Sequence, residues 1–167
     1  SHKDFDKRQA TSVRGLVGKI ERFERFHRNV RKKKEYSLNV DNFTVDDLEY
    51  LKRGGRVSPL VAFAGGVLGI KPVLQMDDEG HLIAVSTARG RKKAIEALAD
   101  KYAELSYEEK NTPIFISHAE CEEDAKHLAD MLMQRHGAEV TLITEIGPVI
   151  GSHAGPGTIA LFFVGKH

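Results

Sequence analysis

The sequence contains a single cysteine, Cys121, so no disulfide can form within the chain. It lacks an N-terminal stretch that joins a basic start to an apolar segment and a small-residue cleavage site, and the expected location is therefore cytoplasmic. Long hydrophobic runs are missing as well. The longest nearly apolar stretch, residues 59–70, is interrupted by Gly65, Gly66 and Gly69 and falls short of the roughly 20 residues that a spanning helix needs. It reads as buried core or as the wall of a ligand site, and no transmembrane segment is expected. Internal repeats and low-complexity tracts are also absent.

The usual signatures of catalysis are equally scarce. No histidine pair has the i, i+4 spacing with an intervening glutamate that a zinc-protease helix uses, and His118 with Cys121 makes only a lone pair of possible ligands. No metal site is expected. A glycine cradle for nucleotide phosphates is missing in both its common forms. Ser117-His118 and Ser152-His153 are sequence neighbours, but neither pair lies in a nucleophile-elbow context. An enzyme built on Ser152-His153 would have to turn over an ester or acyl phosphate. The expected reading is a protein that is not an enzyme and needs no cofactor.

What is present is an ordinary globular composition: 167 residues, 41% hydrophobic and 29% charged, enough for one domain or one lobe of a larger protein. The formal charge of +1 conceals an asymmetry, since residues 1–35 hold 12 Lys and Arg against 5 Asp and Glu, and residues 36–167 hold 13 against 19. A basic arm of this kind suits nucleic acid or another protein as an interaction module. The same residues also read as the wet face of an amphipathic helix. Leu16, Ile20, Phe23, His27 and Val30 recur at helical spacing after a Ser12 cap, and Lys32, Lys33 and Lys34 fall where the helix dipole favours cations. The solvated helix is the reading adopted, and no nucleic-acid partner is expected. Residues 1–11, polar and without period, are taken as a disordered end or a cloning remnant.

Beyond that helix the pattern predicts a strand within residues 36–44, then a helix opened by Asp46-Asp47 and stopped at Gly54-Gly55. Ser58-Pro59 starts another helix, with Leu60, Phe63, Ala64, Val67 and Leu68 as its apolar face. Residues 70–76 and 81–87 form a hairpin around a turn at 77–80. A helix over 94–105, a strand over 113–118, a helix over 120–136 closed by Gly137, and strands over 139–146 and 158–164 complete the chain. The fold class is α/β, bordering on α+β: a mixed sheet with helices packed on it.

Three glycine-rich or basic segments remain as candidate sites. Residues 147–157 hold four glycines and two prolines and leave Ser152 and His153 as their only polar side chains. Read as an open turn, the segment offers backbone N–H groups, a hydroxyl and an imidazole to an anion or carboxylate; it also reads as a tight strand connection. Lys52-Arg53-Gly54-Gly55-Arg56 turns sharply and delivers Arg56 toward the next apolar helix, or is a plain surface turn. Arg89-Gly90-Arg91-Lys92-Lys93 precedes the helix expected from Ala94, where cations oppose the helix dipole, so that either an anionic partner or solvent would relieve them.

These segments together, with Tyr50 to Ser58, Gly69-Ile70-Lys71-Pro72-Val73-Leu74, Arg89 to Ala94 and the stretch 147–157 in order and at matching spacing, resemble the C-terminal part of the DegV family. The resemblance covers about residues 12–166. It implies a two-lobed α/β protein that binds a long-chain fatty acid between its lobes and presents the acid to a fatty acid kinase, whose catalytic subunit makes the acyl phosphate for phospholipid synthesis. On that resemblance residues 12–35 are the linker helix and 36–167 the C-terminal lobe, and the N-terminal lobe is a missing partner. It further implies that Arg56, Gly151, Ser152 and His153 lie near the ligand carboxylate. Leu60, Phe63, Ala64, Val67, Ile70 and Phe162 would line the acyl tail, and Arg91, Lys92 and Lys93 would meet a partner or an anion.

Overall fold

The structure is a computed structural model; it describes residues 36–37, 42–53, 69–76, 82–106 and 112–166. In chain order these form β1 (Tyr36–Ser37), β2 (Asn42–Thr44), α1 (Leu48–Arg53), β3 (Ile70–Met76), β4 (Leu82–Arg89) and α2 (Arg91–Leu105). There follow β5 (Phe115–His118), α3 (Glu122–His136), β6 (Leu142–Glu145), α4 (Pro148–Ala154), β7 (Ile159–Phe162) and β8 (Gly165–Lys166). The helix expected from Ser12, the apolar helix expected from Ser58 and the turn at 77–80 lie outside the described residues.

Six strands make one mixed sheet in the order β4-β3-β2-β7-β5-β6, while β1 and β8 pair separately. Among the described strands only β5 and β6 run parallel. Two parallel neighbours need a crossover, and α3 supplies it. Every other pairing in the sheet is antiparallel. β3 matches the expected strand to the residue despite containing Pro72, which cannot donate to a ladder. The register accounts for this: β2 meets β3 only from Val73 to Gln75, which leaves Pro72 outside the stretch paired on both sides.

Alternation along the strands gives the sheet two different faces. Val73, Ile116, Ile159 and Leu161 point to one, where they pack with Ile95, Leu98 and Ala99 of α2 and Ala125, Leu128 and Leu132 of α3. Leu74 points to the other and joins Val45, Leu51 of α1 and Ala154 of α4, with Phe43, Leu48, Leu82 and Ala84 around them. Helices therefore cover both faces, in keeping with the expected mixed α/β architecture.

Helix α3 ends at His136 as expected but starts at Glu122 rather than Glu120, which takes φ 54°. Glu122, Glu123 and Asp124 occupy its first turn and Arg135 and His136 its last, matching the dipole at both ends. Gly137, at φ 63°, then stops it in the left-handed conformation.

Helix α2 begins at Arg91 rather than near Ala94. Gly90 takes φ 85°, so the chain leaves β4 and enters the helix without a spacer. The basic tripeptide Arg91-Lys92-Lys93 is therefore the first helical turn. β4 also runs on to Arg89, whereas β6 (Leu142–Glu145) and β7 (Ile159–Phe162) are shorter than expected. Among the described residues no helix is long and apolar enough to cross a membrane.

Candidate functional site

The stretch 147–157, expected as an open turn, folds instead around the short helix α4. Gly147 stands at its N-cap and a proline in its first turn fixes the entry φ. The backbone N–H groups of Gly151 and Gly155 donate to the carbonyls of Gly147 (2.9 Å) and Gly151 (2.8 Å), and that of Gly157 to Ala119 (2.7 Å). The anion nest envisaged from these glycines is thus replaced by helical and loop hydrogen bonds. Ser152 Oγ donates to the Val149 carbonyl at 2.8 Å, one turn back on the same helix. His153 is half-exposed and makes no hydrogen bond among the described residues. Val149 and Ile150 beside them are strongly exposed for apolar side chains, at 74% and 65%.

The far end of α4 is held on several sides. Thr158 Oγ1 reaches the carbonyls of both Ala154 (3.0 Å) and Gly155 (2.8 Å), sharing one proton between them. Gly155 lies against α1 so closely that a Cβ there would come within 2.5 Å of the Tyr50 ring, and one on Gly157 within 2.7 Å of Asp46 Cβ. Asp46 is itself fixed by Lys71, whose ammonium meets Asp46 Oδ1 at 2.7 Å and the Asp46 carbonyl at 2.6 Å. From the other face of the sheet, Arg91 donates from Nε to Asp124 Oδ2 at 2.8 Å and from Nη1 to the Gly157 carbonyl at 2.5 Å.

Of the candidate residues, Gly151, Ser152 and His153 are together on α4. Arg56, Leu60, Phe63, Ala64 and Val67 lie outside the described residues. Ile70 and Phe162 both project to the face that α4 covers, by alternation from Val73 and Leu161. Ile159 stands level with Val73 across β2, so Ile70 and Phe162 lie toward opposite ends of that face, about 20 Å apart along the strands. Lys92 is exposed, Lys93 pairs with Glu96 at 2.6 Å, and Arg91 is engaged within the fold. Sequence reasoning missed Tyr50, Asp124 and Thr158 as supports of α4. Each is distant in sequence from what it holds, or is an unremarkable polar residue at a strand end.

His118 is buried at the end of β5, and Cys121 donates Sγ–H to the Thr158 carbonyl at 3.3 Å. Among the described residues no three His, Cys, Asp or Glu side chains gather as a metal ion would require. Burial pushes the Cys121 thiol pKa up, against a smaller opposing pull from Arg91. A thiol whose pKa is higher folded than unfolded lends stability below its unfolded pKa and loses it as pH rises through the folded value. Cys121 is accordingly expected to react with a disulfide reagent at pH 8 more slowly than in the urea-unfolded chain. Equal initial rates would contradict the burial described.

A family model described as an uncharacterised protein of the DegV family matches residues 18–166. A DegV domain-containing protein of Clostridium perfringens is 45% identical over 123 residues, covering 74% of this chain and 42% of that relative. Among solved structures, a DegV lipid-binding protein from Thermotoga maritima is 34% identical with a TM-score of 0.63, over 81% of this chain and 44% of that one. A DegV family protein from Thermus thermophilus, described by its fatty acid binding, is 31% identical with a TM-score of 0.68, over 85% of this chain and 49% of that one. The chain spans less than half the length of the curated relatives it matches. The family model spans the described sheet, its helices and the α4 segment, and the chain belongs to the DegV family.

Proposed function

We propose that this chain is the C-terminal lobe of a fatty-acid carrier, which holds one side of an acyl chain and presents its carboxylate to a fatty acid kinase. The observation that carries the reading is α4: a half-exposed His153 beside Ser152 on a short helix anchored at the edge of an apolar sheet face. The similar proteins from Thermotoga maritima and Thermus thermophilus are described as lipid-binding and fatty-acid-binding. In this reading residues 12–35 are the linker between lobes, 36–167 form the lobe, and the N-terminal lobe closes the site.

The chemistry is that of retention. A carboxylate leaving bulk water needs charge-assisted donors, and His153 with Arg56 would provide them. Ser152 would contribute by turning its hydroxyl from Val149. Gly151, where a Cβ would meet nothing nearer than the Ile146 carbonyl at 3.9 Å, leaves room for close approach. Leu60, Phe63, Ala64, Val67, Ile70 and Phe162 would line the tail. At about 0.8 kcal/mol per buried methylene, about fourteen methylenes contribute on the order of 10 kcal/mol before the costs of association. Lys92 and Lys93, on the exposed first turn of α2, are the partner contacts of this reading.

The same geometry argues for a carrier without chemistry of its own. Side chains at 152 and 153 diverge by about 100° around a helix, and the Ser152 hydroxyl is directed at a carbonyl rather than at the imidazole. The cytoplasm, where ATP and the kinase reside, is the compartment this role requires. The test is turnover. The two-lobed protein is expected to yield acyl phosphate from fatty acid and ATP only when a fatty acid kinase catalytic subunit is added. Acyl phosphate formation or breakdown by the protein alone, abolished by His153→Ala, would contradict the carrier reading.

A further inference from the structure

We propose that Arg91 is a positioning residue for His153, clamping the end of α4 from the opposite side of the sheet. This rests on the reading of His153 as a ligand contact. The guanidinium joins three elements: it opens α2, its Nε meets Asp124 in the first turn of α3, and its Nη1 meets the Gly157 carbonyl in the loop between α4 and β7. A planar fork reaches a carboxylate and a carbonyl at once in fixed geometry, which a single ammonium cannot reproduce. Its remaining nitrogen, Nη2, is buried and has no hydrogen-bond partner among the described residues, so two of the three guanidinium nitrogens carry the grip.

The path from Arg91 to His153 is short, and each link is a covalent or hydrogen bond. The Gly157 carbonyl belongs to the peptide that leads to Thr158. The Thr158 hydroxyl holds the Ala154 and Gly155 carbonyls, and Ala154 follows His153 directly. Three further bonds fix the same loop to the start of the β5–α3 connection: Gly157 N–H to the Ala119 carbonyl at 2.7 Å, Ala119 N–H to the Thr158 carbonyl at 2.9 Å and Cys121 Sγ–H to that same carbonyl at 3.3 Å. Asp124, on that connection's helix, is the other end of the arginine's grip. Gly157 is hence held by Ala119 through its N–H and by Arg91 through its carbonyl. Releasing the second leaves the loop held by the bonds to Ala119 and Cys121, with the Gly157 carbonyl free to turn.

The experiment compares Arg91→Gln, Arg91→Lys and Asp124→Ala in the full chain. Its readouts are amide hydrogen exchange and the ring NMR signals of His153. Loss of a charge-assisted hydrogen bond at a local hinge is expected to speed exchange of the Gly155 amide by about tenfold or more. The His153 ring signals shift with it, while the α3 core amides of Leu128 and Leu132 exchange as before. Arg91→Lys, which keeps the charge beside Asp124, restores part of the protection. Arg91→Gln combined with Asp124→Ala adds less than the two separate effects.

Acceleration spread evenly over α3 and α4 would mean that the arginine merely stabilises the fold, and unchanged Gly155 exchange with unmoved His153 signals would mean that it clamps nothing; either overturns the proposal. Fatty-acid retention in the two-lobed form separates the two readings. A perturbed His153 with undiminished retention upholds the clamp and refutes the carboxylate role of His153.

Discussion

Gly155→Ala is expected to destabilise the protein by about 3 kcal/mol or more. Two costs combine. At φ 82° and ψ 166° the backbone sits in a region that is essentially open to glycine alone, which costs an L side chain on the order of 1–3 kcal/mol. The added carbon would also lie 2.5 Å and 2.6 Å from Cδ2 and Cγ of Tyr50, near the stem of the ring, where the side chain cannot simply swing aside. Moving Tyr50 means moving α1, whose Leu51 is part of the small core beneath it. Gly90→Ala is the control: its φ of 85° and ψ of 163° are nearly those of Gly155, but nothing outside its chain neighbours lies within 4 Å of the new carbon. Chemical denaturation of the two variants isolates the packing cost. If Gly155→Ala loses no more than Gly90→Ala, α4 does not pack on α1 as described.

His153→Ala is expected to weaken fatty-acid binding by the two-lobed protein by roughly 10- to 100-fold, the equivalent of one charge-assisted hydrogen bond of about 1.5–3 kcal/mol. Stability should barely change, because the imidazole is half-exposed and makes no hydrogen bond among the described residues. Ser152→Ala should cost less, since its hydroxyl must first release the Val149 carbonyl and gains only the difference. Displacement of a fluorescent fatty acid, with thermal unfolding in parallel, checks both variants. Unaltered affinity in a folded His153→Ala protein would place the carboxylate elsewhere.

Local patterns made the strands and long helices readable, and tertiary contacts made the site hard to read. β3 and α3 came out of the sequence because alternation, dipole-matched charges and a stopping glycine all act within a few residues. α4 did not, because its Gly147-Pro148 start looked like turn chemistry and its glycines lower helix propensity. Its seven residues are held by Tyr50 and Thr158 rather than by their own sequence.

The start of α2 was misplaced for a related reason. A run of three cations looked unsuitable for a helix N-terminus, yet Arg91 finds its partners 33 and 66 residues away. No periodicity encodes a separation of that kind. Ser152 and His153 were legible as chemistry before their backbone was legible as a helix. The resemblance to the DegV family, carried by four motifs in order, supplied the ligand class that composition and spacing alone left open.

Solvent extraction followed by mass spectrometry tests the central claim most directly, applied to gently purified chain alone and to the same chain with an N-terminal lobe restored. The carrier account predicts about one fatty acid per two-lobed protein, held by the burial of an acyl tail at about 0.8 kcal/mol per methylene. Retention in the chain alone would assign the tail site chiefly to this lobe, and loss there would assign closure to its partner lobe. No fatty acid in the two-lobed protein, even after one is supplied, would contradict the account.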